Sequence, residues 1–257
     1  METSNQVMAP LLFLLFSGAF VLLEARLARR RGLQIHRAAE TRDNLGILAG
    51  NQIVRILLTG WQLTLLGFFA ELTSRPFQPG SLVFIACFIG TDLVYYWQHR
   101  FLHTVRFLWA FHQVHHSGQH MNLTTSFRLN WFTPLIGGLF FAPLALVGFP
   151  VPYILLSLGL NLAYQFFLHT TLVPPLGRLE GWLNTPSAHR VHHGSNEVYL
   201  DCNFGGVLMI WDRLFGTYVQ ETEPVRYGIT TGPVAYNPVW LNLQGFQEYF
   251  MGRRSRG

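Results

Sequence analysis

Long apolar runs with few charges constrain the fold of this chain most. Only 12% of its 257 residues are charged, and 50% are hydrophobic. An ordinary soluble domain has about 25% charged residues. A helix that crosses the hydrocarbon core of a membrane needs about 20 largely apolar residues. The sequence therefore predicts an all-α integral membrane protein.

Five apolar segments are candidates for membrane-embedded helices. They cover residues 7–23, 51–70, 81–97, 132–148 and 151–168. Basic residues follow the first segment rather than precede it, so we expect a retained anchor and not a secretory signal peptide. Arg55 falls within the second segment, and we place it near the helix end at the membrane interface, where its side chain can reach water. We predict four to five membrane-embedded helices.

The arginines predict the orientation of these helices, since the chain has no lysine. Six arginines lie between the first two segments, whereas only Arg75 lies between the second and third. The six are Arg26, Arg29, Arg30, Arg31, Arg37 and Arg42. Because loops rich in arginine stay in the cytoplasm, the third segment ends there at about His99, and the last two segments return there at about His169. The arginines form no basic stripe with aromatics, which argues against a nucleic-acid partner.

Nine histidines at the predicted cytoplasmic ends follow metal-ligand spacing. They occur in HRFLH, HQVHH and HRVHH, with one more in FLHT. Residues three or four apart share a helix face, so each cluster directs several imidazoles the same way. The nine are His99, His103, His112, His115, His116, His169, His189, His192 and His193. Since nine imidazoles exceed what one tetrahedral ion binds, we predict two metal ions.

The remaining histidines and the nearby acids leave several alternatives open. We expect His36 to be an ordinary interfacial residue, whereas His120 adjoins a cluster and stays open as a ligand. A hydrolytic zinc site usually has a general base, as in HExxH, and the nearest glutamate, Glu197, lies four residues beyond His193. A histidine-rich two-metal site beside lipid suits iron and the oxidation of unactivated C–H bonds. A transport role is a rival, although the clusters flank the apolar segments instead of lining their centres.

Four segments resemble the fatty acid hydroxylase / sterol desaturase superfamily of membrane di-iron enzymes. They are DLVYYWQHRFLH, LWAFHQVHHS, NTPSAHRVHHGSN and NFGGVLMIWDRLFGTY, and the resemblance covers about residues 85–235. Within the superfamily, HQVHHSGQHMNLTTSFR and LNTPSAHRVHHGSN are most similar to the alkylglycerol monooxygenase-like branch. Two positions depart from the pattern: residues 129–131 are LNW where many members have a histidine and a proline, and Ala188 replaces a histidine frequent in that branch.

The resemblance implies a site, a reaction and cofactors. The three clusters would bind two iron ions, with His169 as an additional ligand, and O2 would be the co-substrate. The lipid product would arise by hydroxylation, desaturation or ether cleavage. Electrons would come from a separate donor, either tetrahydrobiopterin or a cytochrome b5/ferredoxin-type partner. Asp92 either orients a ligand imidazole or only packs its helix, and Asn203 either lies near the metals or only caps its turn.

We expect one domain with three regions. Residues 1–80 would form N-terminal membrane helices with an arginine-rich loop, residues 81–220 the catalytic region, and residues 221–257 a C-terminal tail. The location would be a bacterial inner membrane, with the metal site on the cytoplasmic side. Lipid would enter from the bilayer between helices, with residues 140–149 among the walls. The alternatives are a zinc-dependent membrane hydrolase and a non-catalytic lipid-binding or transport protein.

Overall fold

The computed structural model describes residues 2–231, 236–253 and 255–256. This part of the chain forms α-helices, short 3-10 turns and isolated bridges, without an extended strand. The helices are α1 (Glu2–Arg30), α2 (Ala38–Glu71), α3 (Ser81–Thr104), α4 (Arg106–Trp109), α5 (Gln113–His116), α6 (Thr133–Val147), α7 (Val151–Phe166), α8 (Pro186–His192), α9 (Ile210–Leu214) and α10 (Pro238–Phe250). The predicted all-α architecture is confirmed for these residues.

Two helices, α2 and α3, are long and apolar enough to cross a membrane. Their 34 and 24 residues correspond to about 51 and 36 Å, against about 30 Å for the hydrocarbon core. Only 6% of the apolar stretch of α2 and 28% of that of α3 is buried inside the protein. The core helix of a soluble protein would be mostly buried, so the outward apolar side chains indicate membrane-facing helices.

The helix bounds differ from the predicted segments. α2 begins at Ala38, thirteen residues before the predicted start at Asn51, and α3 continues to Thr104 instead of ending near Trp97. Arg55, expected near a helix end, therefore lies in the middle of α2. Among the described residues, α6 and α7 have 15 and 16 residues, which is short for a span. The total of four to five membrane-embedded helices stays a prediction.

The long helices pack through small residues, as is common in membrane bundles. A Cβ added at Gly138 of α6 would lie 3.1 Å from Leu65 of α2, and one at Gly90 of α3 would lie 3.2 Å from Leu144 of α6. The buried core of this bundle consists of Leu66, Cys87, Phe141, Leu144, Ala145 and Ile154. Three of these lie within residues 140–149 and pack helices together, while Leu146 and Val147 of the same stretch are exposed. That these residues form a wall of the lipid path stays a prediction.

A tight turn joins α6 to α7, as the GFPVP sequence predicts. Gly148 follows the last residue of α6 with φ of 114°, a conformation that favours glycine. Its backbone lies close to the loop before α3, because an added Cβ would be 2.8 Å from the carbonyl oxygen of Arg75. Pro150 then caps α7 at its N-terminus.

Replacing Gly148 with alanine should destabilise this hairpin. The left-handed backbone and the contact with Arg75 together should cost about 1–3 kcal/mol, measured as a lower Tm of the protein in detergent. Gly159→Ala is the matched control, because nothing lies within 4 Å of its added Cβ and alanine favours a helix. Equal Tm values for the two variants would contradict the left-handed, closely packed turn at Gly148.

Candidate metal centre

The structure brings all nine predicted histidines together in two groups. One group contains His99, His103, His112, His116 and His192, and the other contains His115, His169, His189 and His193. Within each group, the candidate nitrogen atoms all lie within 4.8 Å of one another, and every side chain is buried. Groups of five and four imidazoles correspond to the two ions expected from the sequence.

Helix geometry explains how each cluster contributes to both groups. In HQVHH, His112 and His116 are four residues apart and share a group, while His115 points to the other. HRVHH behaves in the same way: His189 and His193 share a group, and His192 joins the first. The two groups are in contact, since the rings of His116 and His193 stack at 4.4 Å between centroids. The site is therefore one centre with two adjacent subsites.

Several nitrogen–nitrogen distances fit ligands of a shared metal ion. The Nε2 atoms of His99 and His112 are 3.0 Å apart. Nε2 of His169 is 3.0 Å from Nε2 of His189 and 3.3 Å from Nε2 of His115. Two nitrogens that each lie about 2.1 Å from one ion are about 3.0–3.4 Å apart at octahedral or tetrahedral angles. These spacings suit metal coordination in both groups.

Other buried nitrogens have no hydrogen-bond partner among the described residues. They include both ring nitrogens of His116 and the Nε2 atoms of His192 and His193. Leaving a buried polar group unsatisfied costs about 1–3 kcal/mol, so a native site with several such groups needs an explanation. Metal ions held between the two histidine groups would satisfy these nitrogens.

Backbone carbonyls orient three of the rings. Each accepts a hydrogen bond from Nδ1, which leaves Nε2 directed towards the centre, an arrangement common for metal-binding histidines. The pairs are His99 with Phe204 at 3.0 Å, His169 with Gln165 at 2.8 Å, and His192 with Cys202 at 2.9 Å. The folded backbone thus fixes the tautomer of rings from α3, α8 and the end of α7.

Burial keeps the histidines outside the spans neutral. Desolvation lowers the pKa of His169 to about 4. Desolvation also lowers the pKa of six other rings well below the ordinary value for histidine, and repulsion from neighbouring histidines adds to this effect. The six are His112, His115, His116, His189, His192 and His193. Neutral imidazole has the free lone pair that a metal requires. At pH 7 these rings are therefore in the form that binds metal.

The donor set consists of imidazoles alone. No carboxylate belongs to either group within the described residues, and Glu197 is exposed to solvent. The nearest acidic oxygen is Oδ1 of Asp201, 3.8 Å from Nδ1 of His103. Imidazole ligands suit iron, zinc, copper and nickel, so the ligands alone do not select the metal.

His36 and His120 lie outside both groups. Nδ1 of His120 is 2.8 Å from Oε2 of Glu40, whose other oxygen accepts the backbone N–H of His120 at 3.2 Å. Nε2 of His36 lies 3.2 Å from Oε2 of Glu24. His120, left open by the sequence, thus pairs with an acid of α2 instead of joining the histidine centre.

Asp92 and Asn203 contact backbone and side chains around the centre rather than its histidines. The carboxylate of Asp92 accepts hydrogen bonds from Asn161, Trp211 and the backbone N–H groups of Val207 and Leu208. The amide of Asn203, which has φ of 57°, bonds the carbonyl of Ala188 at 3.0 Å and both backbone groups of Val219 at 2.8 Å. Both residues hold loops that surround the histidines, including the loop with Phe204.

Arg128 is a supporting residue whose role the sequence did not reveal. Its side chain is 1% exposed, and it donates to the carbonyl of Val114 at 3.0 Å, to Asn44 at 2.7 Å and to Ser117 at 2.5 Å. The first and last partners flank His115 and His116. Arg128 therefore fixes the HQVHH segment against α2.

Arg190 has a similar role in the third cluster. It points away from the histidines and forms a bidentate pair with Glu221, at 2.6 and 3.1 Å. It also donates to the carbonyls of Thr170 and Val173, at 3.1 and 2.8 Å. Arg190 thereby ties α8 to the segment that follows His169.

Glu24 connects α1 to the same region. Its buried carboxylate accepts the hydroxyl of Thr170 at 2.5 Å and the backbone N–H of Leu123 at 2.8 Å. The carboxylate lies near the end of an apolar helix, where sequence alone suggests only the end of a span. The structure shows that it holds α1 beside His169.

A model of the fatty acid hydroxylase family matches residues 84–217, more than half of the chain. The chain belongs to the fatty acid hydroxylase family. The matched residues contain all nine clustered histidines. The resemblance predicted from the histidine motifs is confirmed.

Known proteins similar to this family member include alkylglycerol monooxygenases. The identity is 47% over 153 residues with the protein from Danio rerio and 46% over 154 residues with that from Homo sapiens. Each match covers 60% of this chain but 34% of the relative, so it spans about a third of those enzymes. Ornithine lipid hydroxylase OlsE of Rhizobium tropici is 32% identical over 142 residues, 54% of this chain and 43% of that protein. No solved structure matches significantly.

Metal analysis of purified variants tests the two groups. His116→Ala should lose metal from the first group and His193→Ala from the second, each binding about one ion fewer than the unaltered protein. His120→Gln should retain the full content, because its ring bonds Glu40. The measurement is elemental analysis by mass spectrometry, and a loss of metal in His120→Gln as large as in the other two would contradict the grouping.

Replacing Arg128 with methionine should destabilise the HQVHH segment. The change leaves buried oxygens on Val114, Asn44 and Ser117 without their donor, at a cost of about 3 kcal/mol or more. The expected result is a lower Tm together with reduced metal content. Arg178→Met is the control, since Arg178 is exposed and should leave both quantities unchanged.

Proposed function

We propose that this protein is a membrane-bound, O2-dependent di-iron oxygenase that oxidises a lipid near its headgroup, by ether cleavage of an alkylglycerol. The observation that carries the proposal is the pair of buried histidine groups at the end of a membrane-facing helix. Family membership and similarity to alkylglycerol monooxygenases support the reaction type. The activity and the substrate are proposals, since the match covers a third of those relatives.

The nine histidines would hold the metals, five around one ion and four around the other. When bound, two iron ions supply the O2-derived oxidant that an unactivated C–H bond requires. The chain's own contribution is to keep the imidazoles outside the spans neutral, to fix three rings through carbonyl contacts and to bury all nine away from water. Two electrons and two protons are also consumed for each O2, and they come from a separate donor.

The depth of the centre supports oxidation close to the headgroup. His99 and His103 lie in the last turns of α3, whose 24 residues span about 36 Å. At 1.5 Å per residue, His99 lies about 27 Å from the start of the helix, near the edge of a core about 30 Å thick. An ether carbon beside glycerol lies at that level, whereas the middle of an acyl chain lies deeper. Ether cleavage is therefore favoured over mid-chain hydroxylation or desaturation.

The location and the donor are further parts of the proposal. The arginine-rich loop between α1 and α2 supports a cytoplasmic centre in a bacterial inner membrane. Tetrahydrobiopterin and a cytochrome b5/ferredoxin-type protein are the two candidate donors. Residues 81–220 are proposed as the catalytic region, and the family match within them supports this boundary. A zinc hydrolase is disfavoured, because groups of five and four imidazoles exceed the three protein ligands typical of a catalytic zinc ion.

Turnover of an alkylglycerol in proteoliposomes tests the proposal. The iron-loaded protein with tetrahydrobiopterin or a ferredoxin system should release a fatty aldehyde, detected by mass spectrometry, and removing O2 should abolish it. His192→Ala should lose the activity, whereas Arg178→Met should keep it. A product carrying one extra oxygen with the ether intact would instead indicate hydroxylation. Cleavage that continues without O2 in the zinc-loaded protein would contradict the oxygenase proposal.

A further inference from the structure

Helix α10 has its apolar face on the outside. This helix lies beyond the family-matched residues, in the region expected to be only a tail. Its inward face is formed by Leu241, Asn242, Gly245 and Glu248, three of which are polar or lack a side chain. Its outward face carries Val239, Trp240, Leu243 and Phe250 together with one exposed polar residue, Gln247, and Phe250 is 79% exposed. In water this arrangement is unfavourable, because the exposed face is more apolar than the buried one.

The inward face packs directly on the segment that carries the second histidine cluster. A Cβ added at Gly245 would lie 2.7 Å from the carbonyl oxygen of Ala110, so the helix and this segment are in close contact. Glu248 accepts a hydrogen bond from Gln113 at 2.9 Å. The close approach and the buried polar contact explain why the inward face is not apolar.

A second connection runs from the end of the helix to the metal centre. Ser255 donates to Glu248 at 3.0 Å and accepts the indole N–H of Trp109 at 2.9 Å. The ring of Trp109 in turn lies 5.1 Å from that of His103 and 5.5 Å from that of His116. Helix α10 therefore covers the centre and is coupled to two of its histidines.

Contacts with the long helices place α10 at the level where they leave the membrane. Leu241 packs against Ile47 of α2, which lies four residues, or about 6 Å, before the apolar segment predicted to begin at Asn51. Towards its other end, Tyr249 contacts Phe107, just beyond the end of α3, at 5.4 Å between ring centroids. Both contacts lie near the expected boundary of the hydrocarbon core. Helix α10 therefore lies along this boundary and not in the surrounding solvent.

The surroundings of the outward face match a lipid surface. Phe101 and Val105, at the end of α3, are also exposed and continue the apolar face towards the span. Arg106, Arg253 and Arg256 are exposed near the C-terminal end of α10. Arg106 also donates to the carbonyl oxygens of Tyr249 and Arg253, and Arg256 lies 3.9 Å from the carboxylate of Asp201. Juxtamembrane arginines are attracted to the anionic headgroups of a cytoplasmic leaflet. An apolar face with a basic rim at this depth is typical of a helix that lies in a membrane interface.

We propose that α10 is an interfacial helix whose outward face inserts among lipid chains while its inward face covers the metal centre. Val239, Leu243 and Phe250 contact the leaflet, and the arginines contact anionic headgroups. The lipid surface and the centre are thus separated by the thickness of one helix. The inference depends on the membrane placement of α2 and α3 but not on the oxygenase chemistry.

Fluorescence quenching in nanodiscs that contain phosphatidylglycerol tests this placement. An environment-sensitive dye is attached to the thiol of Leu243→Cys or, in a second protein, of Phe250→Cys. Cys87 and Cys202 are 0% and 4% exposed, so unaltered protein serves as the labelling blank. Glu197→Cys is the control, since Glu197 is exposed in a polar loop. Lipids with a quencher near the acyl carbonyl should quench the dyes at positions 243 and 250 several-fold more than the dye at position 197, and aqueous iodide should show the reverse order.

Two results would overturn the inference. Iodide quenching at positions 243 and 250 equal to that at position 197 would place the helix in water. Protection from both quenchers, with disulfide cross-linking between two chains of the unlabelled Leu243→Cys protein, would make the face a protein–protein interface. A variant that retains its metal content is folded. Because two positions are labelled in separate proteins, the test still works if one variant does not fold. No turnover is needed, so failure of the lipid oxygenase proposal would leave this result interpretable.

Discussion

Nine imidazoles are buried together at the end of α3, and the rest of the structure depends on how their nitrogens are satisfied. Burial lowers the pKa of rings outside the spans, such as His116 and His193, and several nitrogens have no protein partner within the described residues. Repulsion between rings and desolvation both oppose protonation, so the cluster does not satisfy itself by taking up charge. Metal ions between the two groups would turn this unfavourable arrangement into a stable one, with binding coupled to folding.

A shell of buried polar contacts holds the segments that carry these rings. Arg128 fixes the second cluster, Arg190 fixes the third, and Glu24 joins α1 to the region after His169. Each contact links elements distant in the chain, and each would be costly to break because the groups are buried. The positions of the ligands are thus determined by the whole fold, including helices outside the family-matched region.

The sequence predicted that these nine histidines lie together, because local geometry suffices for each cluster. Spacings of three and four residues place imidazoles on a common face, whereas the assignment of the clusters to one membrane side from the arginine distribution stays a prediction. The split of each HxxHH between two groups needed the tertiary arrangement. The start of α2 at Ala38 was missed, since Glu40 and Asp43 interrupt the apolar pattern there. In the structure Glu40 pairs with His120, a contact between residues eighty positions apart that no local pattern indicates.

The residues that hold the histidine segments in place were harder to predict, because their contacts also join residues far apart in the chain. Asp92 lies two turns from His99 on one helix, so the sequence left open whether it orients a ligand imidazole or only packs its helix. In the structure its partners come from α7, from α9 and from the loop before α9. The sequence of α10 gave no distinct signal of an apolar outward face, because the polar residues on the inward face contact a segment more than a hundred positions away. Such features depend on long-range packing.

X-ray absorption at the iron edge examines the two-metal histidine centre itself. We expect protein purified with its native metal to contain two irons per chain, each with a first shell of nitrogen at about 2.1 Å and outer-shell scattering from several imidazoles. A spectrum dominated by sulfur or by carboxylate oxygen, or a protein that binds only zinc, would contradict a di-iron centre held by imidazoles.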